Sequence, residues 1–273
     1  MAAISAWPVR PNVVNAVCDR YVNTIMLLCG ATKLCAMSSP FLAASWENLL
    51  MINFEADPAV LKPFVPHHTE LDTWNNTHYA SLVGFMFRNT RVRGLSLPFH
   101  RHFEEVNLRF YVRYKENGVW KRGVVFVKEI VPKRMITFVA KTVYKEKYAT
   151  HKMRHSWLHT ADQLQVTYEW KVGRHWNFLK ATAAKNAVPV IAGSEAEFIT
   201  DHYWGYTHMG TAHTGEYQVT HPQWQVHPIA DFSYECDTAI LYGPSFVPML
   251  QQTPISALLA AGSDITVMPK KIL

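Results

Sequence analysis

The chain has 273 residues, 49 % hydrophobic, 13 % aromatic and 18 % charged, with a formal net charge of +6. That composition excludes intrinsic disorder, collagen and a coiled coil, and a chain of this length buries roughly 75 % of its extended surface. The basic residues are scattered, not gathered into a stripe, which argues against a nucleic-acid partner and suits an anionic small molecule.

Residues 1–36 stand apart. They hold Cys18, Cys29 and Cys35, and the rest of the chain holds only Cys236. No Cys-x-x-Cys occurs, so neither a zinc ribbon nor a disulfide framework is indicated, and a reducing, cytoplasmic location is expected. The apolar run from Val22 to Leu34 is interrupted by Asn23, Thr24, Thr32 and Lys33. It falls short of the ~20 residues a membrane span needs, and Asp19 beside it makes a poor signal peptide. The expectation is an N-terminal extension over 1–36, loosely packed or a miscalled start, then a single domain over 37–273 with no membrane partner.

The body reads as strands. Trp46 to Phe54 is apolar and extended, and Asp57-Pro58 caps a short helix to Phe64 that Pro66 stops. Asn75-Asn76 marks a turn. Tyr79 to Phe87 is apolar on both alternating faces, which predicts a strand covered on both sides. His102–Tyr114 and Val119–Val131 flank Asn117-Gly118, the sequence of a type I′ hairpin turn. Further strands are predicted over Met135–Tyr144, Lys152–Leu158, Gln163–Val172, His175–Ala181, Glu216–Thr220 and Ile255–Met268, the last broken at Gly262-Ser263. The capping box Ser194-x-x-Glu197 predicts the one long helix, ended by Gly205. Lys270 and Lys271 read as a solvated tail. About ten strands with few helices predict a mainly β, antiparallel barrel or sandwich. No dinucleotide, P-loop or nucleophile-elbow motif is present.

The segment from His100 to Arg113 carries the chemistry. Alternation puts Glu105, Asn107, Arg109, Tyr111 and Arg113 on one face and Glu104, Val106, Leu108, Phe110 and Val112 on the other. The bland reading of the polar row is a solvated face with cross-strand ion pairs. Turned into a barrel, the same row would let Arg109 hold a carboxylate through its two-pronged donor geometry, with Glu105 beside it. His100 and His102 have a zinc-type spacing but no third ligand nearby, so no metal or cofactor is expected.

The segments WENLLMINFEADPAVLKPFVP, HTELDTWNNTHYASLVGFMF, FEEVNLRFYVR and RGVVFVKEIVP occur in order, followed by EAEFITDHYWGYT over residues 195–207. Together they resemble the YqjF-like family, a largely uncharacterised bacterial group within the acetoacetate decarboxylase-like superfamily. The resemblance covers nearly all of 40–255 and leaves 1–36 outside. It implies a cone-shaped β-barrel around a small-molecule cavity, and a possible homo-oligomer. Decarboxylases of the superfamily form a Schiff base on a lysine that follows a proline, with an arginine seven residues earlier. The similar segment here is AKTVYKEKYATHKM, where Lys141 takes the arginine's place, Lys147 the proline's and Tyr148 the lysine's.

Three functions follow. One is a binding barrel for a small organic ligand, probed as a carboxylate, without a Schiff-base lysine and lined by Asn107, Tyr111, Tyr203, Trp204 and Tyr206. The second is a lyase-, decarboxylase- or hydrolase-like enzyme on a keto acid, with Glu105, Arg109 and Tyr148 as catalytic groups. The third is an oligomeric scaffold with surface aromatics such as Trp7 or Trp224 at its interface. Lys141, Lys145 and Lys147 share the face opposite Tyr148 on a regular strand, which predicts no imine on Lys147.

Overall fold

The computed structural model describes residues 39–96, 98–139, 146–210 and 212–273. The expectations for residues 1–36, for Trp7 and for Lys141 and Lys145 lie outside the described residues.

The strands, in chain order, are β1 (Leu42–Glu55), β2 (Glu70–Leu71), β3 (Tyr79–Val92), β4 (Phe103–Glu116), β5 (Val119–Val131), β6 (Tyr148–Thr150), β7 (Met153–His159) and β8 (Gln163–Val172). They continue as β9 (His175–Ala184), β10 (Val188–Pro189), β11 (Trp204–His208), β12 (Thr214–Thr220), β13 (Gln225–His227), β14 (Ile229–Glu235), β15 (Ser256–Val267) and β16 (Lys271–Ile272). The chain is mainly β, with a few helices of four to six residues.

The larger sheet closes on itself. Its path runs β15-β1-β3-β4-β5-β11-β12, and β12 pairs back onto β15 through Val219↔Val267 and Thr220↔Thr266. The ring is antiparallel except where β11 joins β5 and where β6 is added to β5. A second sheet, β14-β9-β8-β7, is antiparallel throughout. It covers the outside of the ring: Val106, Leu108 and Phe110 share one buried cluster with Val166, Tyr168, Trp170 and Leu179. A second cluster, with Met51, Val83, Phe85, Phe103 and Tyr111, fills the other face of the same ring strands. The two-sided burial of β3 expected from its sequence is therefore observed. Gly84 permits the sheets to meet, since a Cβ there would lie 2.9 Å from the Tyr168 ring.

Local signals explain the connections. Asp57 caps the helix Pro58–Leu61 by accepting from the Ala59 amide at 2.8 Å. Asn117 and Gly118 both have positive φ, 50° and 84°, as a type I′ turn requires. Asn75 and Asn76 turn the chain in the same left-handed region.

Four expectations are corrected. The strand predicted over Met135–Tyr144 begins instead as a helix, Arg134–Val139, anchored by the Thr137 amide on the Lys133 carbonyl; tertiary contact overrides its β-favouring residues. The long helix from Ser194 is six residues, Glu195–Thr200, and Gly205 lies inside β11. The Ser194 cap is formed, but the next residues pair with β12 instead of extending the helix. β15 is not broken at Gly262: the residue pairs with Glu47 in unbroken register, at φ 86°, where a Cβ would collide with the Trp46 carbonyl at 2.0 Å. Lys271 is not a free tail, because β16 pairs with β12 and its ammonium meets Glu116 and Glu216.

Candidate ligand-binding site

The ring encloses a cavity of about 160 Å³. Trp46, Phe85, Phe87, Phe103, Phe126 and Trp224 give it an aromatic wall. Its polar wall comes from adjacent strands. In register across β4, β5 and β6 stand Asn107, Glu129 and Tyr148, and all three line the cavity. Glu105 and Arg109 flank Asn107 on β4 at two-residue steps, so they face the same way. Glu105, Asn107 and Arg109 of the polar row are thus turned inward, Arg113 of the same row pairs with Glu70 at the surface, and Val106, Leu108 and Phe110 meet the second sheet.

Three carboxyls gather at one end. The Tyr148 hydroxyl donates to Glu105 Oε2 at 3.1 Å, and Asn107 Nδ2 donates to Glu105 Oε1 at 3.0 Å. Glu146 accepts from the hydroxyls of Thr207 and Tyr217. Glu129 is buried beside Tyr148, with Oε2 unpartnered. Burial, reinforced by Glu146, pushes Glu105 up to about 7 against the hydrogen bonds it accepts. Burial and the charges of Glu105 and Glu146 push Glu129 well above the usual carboxylate range, and burial also raises Glu146. At neutral pH this end therefore holds protons that can be shared or released.

Arg109 occupies the other end. It is 8 % exposed. Its Nη2 donates to Met51 Sδ at 3.3 Å and to the Ile199 carbonyl at 3.4 Å, and its Nε has no partner. Among the described residues no carboxylate lies within ion-pair distance of it. Beside it His202 lines the cavity, packed on the rings of Tyr111 and Phe198. Its Nε2 stands 3.4 Å from Asp72 Oδ2, and burial pushes the imidazole down to about 4, so it is neutral. Burial would raise Asp72, but His202 and Arg122, the latter at 2.7 Å, hold that carboxyl well below its usual range.

The remaining expected site residues divide. Trp204 borders the cavity, but its ring packs on the outer cluster with Lys121 over it at 4.0 Å. Tyr111 is buried under the site, bonded to Ser81 and 5.6 Å from the Arg109 guanidinium. Tyr206 lies in the outer cluster, bonded to Glu216, and Tyr203 stacks on His221 away from the lining. His100 lines the cavity while the exposed His102 accepts from the Asn89 amide. Among the described residues no group of His, Cys, Asp and Glu is placed to hold a metal. Nor does any described helix have the length and apolarity to cross a membrane. The sequence reading missed Glu129, Glu146 and His202 as lining residues.

A family model described as an uncharacterized conserved protein, DUF2071, matches residues 43–264. The chain belongs to the DUF2071 family. Within 105 residues it is 34 % identical to the uncharacterized protein YqjF of Bacillus subtilis strain 168, a match that spans 38 % of this chain and 42 % of that one. Its fold is that of acetoacetate decarboxylase-like proteins. It superposes on acetoacetate decarboxylase from Legionella pneumophila with a TM-score of 0.58 at 13 % identity, over 99 % of this chain and 98 % of that one. With the enduracididine biosynthesis enzyme MppR complexed with pyruvate the TM-score is 0.61 at 11 % identity, over 88 % and 93 %. An acetoacetate decarboxylase-like enzyme from Sphingomonas wittichii RW1 gives 0.57 at 12 %, over 90 % and 100 %.

In this DUF2071 chain Tyr148, expected in place of a Schiff-base lysine, borders the cavity, and the neighbouring Lys147 is exposed with its ammonium 4.7 Å from the Phe64 ring. Phe64 packs on the outer cluster. Backbone alternation sends the two side chains to opposite sides of the wall.

Proposed function

We propose that the ring interior binds a small organic carboxylate, held at Arg109 and enclosed by the aromatic wall, without covalent attachment to a lysine. The observation that carries this reading is the buried Arg109 guanidinium. Its acceptors are a thioether and one main-chain carbonyl, and its Nε has none. A buried cation left without a counter-charge is costly, and a carboxylate offers matching, charge-assisted hydrogen bonds. Apolar walls with a few convergent polar groups are also the usual make-up of small-molecule sites.

The test is a thermal-shift screen of straight-chain and aromatic monocarboxylates against the wild type and Arg109→Gln. A ligand at 100 times its dissociation constant stabilises by about 2.7 kcal/mol. Shifts in the wild type that vanish in the variant support the reading. No shift across the panel, or equal shifts in both proteins, overturns it.

A second reading adds proton transfer. It is favoured by Glu105, whose pKa of about 7 and bond to Tyr148 suit a general acid or base. Exchange of the α-protons of keto acids in D2O, followed by NMR, tests it: exchange lost in Glu105→Gln supports it, and no exchange with any keto acid that binds removes it.

A further inference from the structure

The unpartnered polar atoms of the lining include Trp46 Nε1, Thr90 Oγ1 and both ring nitrogens of His202, and three more stand toward its two ends. Near the carboxyl end they are Asn107 Oδ1, an acceptor, and Glu129 Oε2, an acceptor once that carboxyl is ionised. The orientation of the Asn107 amide is fixed, because its Nδ2 donates to Glu105 Oε1. At the other end Arg109 Nε is an unpartnered donor, beside the neutral His202. All three residues are more than nine-tenths buried and line the same cavity. Asn107 and Glu129 are direct cross-strand partners, so their two open oxygens come from adjacent positions of the wall.

The charges divide between the same two ends. Three carboxyls, Glu105, Glu129 and Glu146, face one another. The cations acting on them are Lys270 on Glu146 and Glu129, Lys147 on Glu146, and Arg109 on Glu105. Glu105 and Glu146 have their hydrogen bonds supplied by Asn107, Tyr148, Thr207 and Tyr217. Glu129 keeps an open oxygen.

We infer that the ligand is a zwitterion: its carboxylate meets Arg109, and an ammonium or similar cationic N–H donor at its far end meets Glu129 Oε2 and Asn107 Oδ1. This rests on the carboxylate reading above and names the other half of the molecule. Two residues along a strand span about 7 Å. That matches the charge separation of an extended ω-amino acid of roughly five or six carbons. An α-amino acid, with both charges on one carbon, is too short to reach both ends.

The inference has a proton signature. An ammonium beside Glu129 favours its ionised form, so binding of the zwitterion expels a proton that the buried carboxyl otherwise keeps. A plain carboxylate at Arg109 brings no cation and expels none.

The experiment is calorimetry at pH 7 with hexanoate, hexylamine, 6-aminohexanoate and leucine, each in two buffers of different ionisation enthalpy. Arg109→Gln and Glu129→Gln are run beside the wild type. The expected result is that 6-aminohexanoate binds at least tenfold tighter than hexanoate, with proton release, and that Glu129→Gln removes both the advantage and the release. The wild-type proton count stands on its own should Glu129→Gln fail to fold. If hexanoate binds through Arg109 and the amino acid is no tighter, or leucine binds as well, the zwitterion inference falls and the carboxylate reading survives. An advantage that persists in Glu129→Gln overturns the assignment of the ammonium to that residue. If no carboxylate binds, or hexylamine alone binds without regard to Arg109, both fall.

Discussion

The Nη2 of Arg109 lies 3.3 Å from the sulfur of Met51, two strands away along the same wall of the ring. A thioether is a weak acceptor, and a guanidinium stays charged under ordinary conditions. The pairing fills space without neutralising charge. Arg109→Met is therefore expected to leave the fold intact, to raise unfolding free energy by on the order of 1 kcal/mol in urea titrations, and to abolish carboxylate binding. A loss of stability instead would make Arg109 a structural residue.

The contribution of Glu105 to stability should fall as pH rises through the acid-to-neutral range. Glu105 binds its proton more tightly when folded, at about 7, than an unfolded glutamate does, at about 4.3. Its protonated form favours the native state below the lower value, and that benefit is lost as pH rises through the upper one. His202 acts in the opposite sense: folded at about 4 against about 6.5 unfolded, it costs stability as pH falls below neutral. Glu105→Gln should accordingly gain stability over the wild type at pH 8 and gain little at pH 4.5. Equal differences at both values would show that Glu105 is an ordinary carboxylate.

Asp72 ties the end of the site beside Arg109 together, accepting from Arg122 at 2.7 Å and from the Thr73 amide at 2.9 Å, beside His202. Asp72→Asn is expected to cost about 2 kcal/mol, since hydrogen bonds to a charged group are lost and Arg122 is partly solvated. The cost should shrink as pH falls into the acid range, where an unfolded aspartate takes up its proton. Chemical denaturation at pH 7 and pH 3 measures both.

No imine is expected with acetoacetate or pyruvate. Lys147 is exposed on the outer side, and the lysine among the carboxyls, Lys270, packs over Tyr217 at 5.4 Å outside the lining. Borohydride trapping followed by peptide mass mapping checks this, and an adduct on either lysine would restore amine chemistry to the site.

The sequence made β4 legible because nothing interrupts its alternation: hydrophobic residues meet the second sheet and polar ones the cavity. Glu129 was hidden by a bulge. Phe126 pairs with Arg109 and Lys128 with Leu108, so β5 changes parity between them and an odd-numbered residue enters the lumen beside an even-numbered Phe126. Tyr206 was misread for a related reason. Its neighbours Gly205 and Thr207 are the inward positions of β11, and an aromatic-rich stretch says nothing about which face each ring takes. Asp72 and His202 are 130 positions apart in the chain, and only the folded ring brings them within reach of each other.

β4 is a partition with a packed interior on either side. Any change of volume at Leu108 or Phe110 presses on the sheet behind and tilts the row that carries Glu105, Asn107 and Arg109. Drift on this strand is thus penalised twice, once in folding and once in recognition. The aromatic positions at Trp46, Phe126 and Trp224, which stand on other elements of the wall, are where selection can reshape the ligand's body while its charged ends stay anchored. Diversification within this architecture should therefore change what is bound between the poles before it changes the poles.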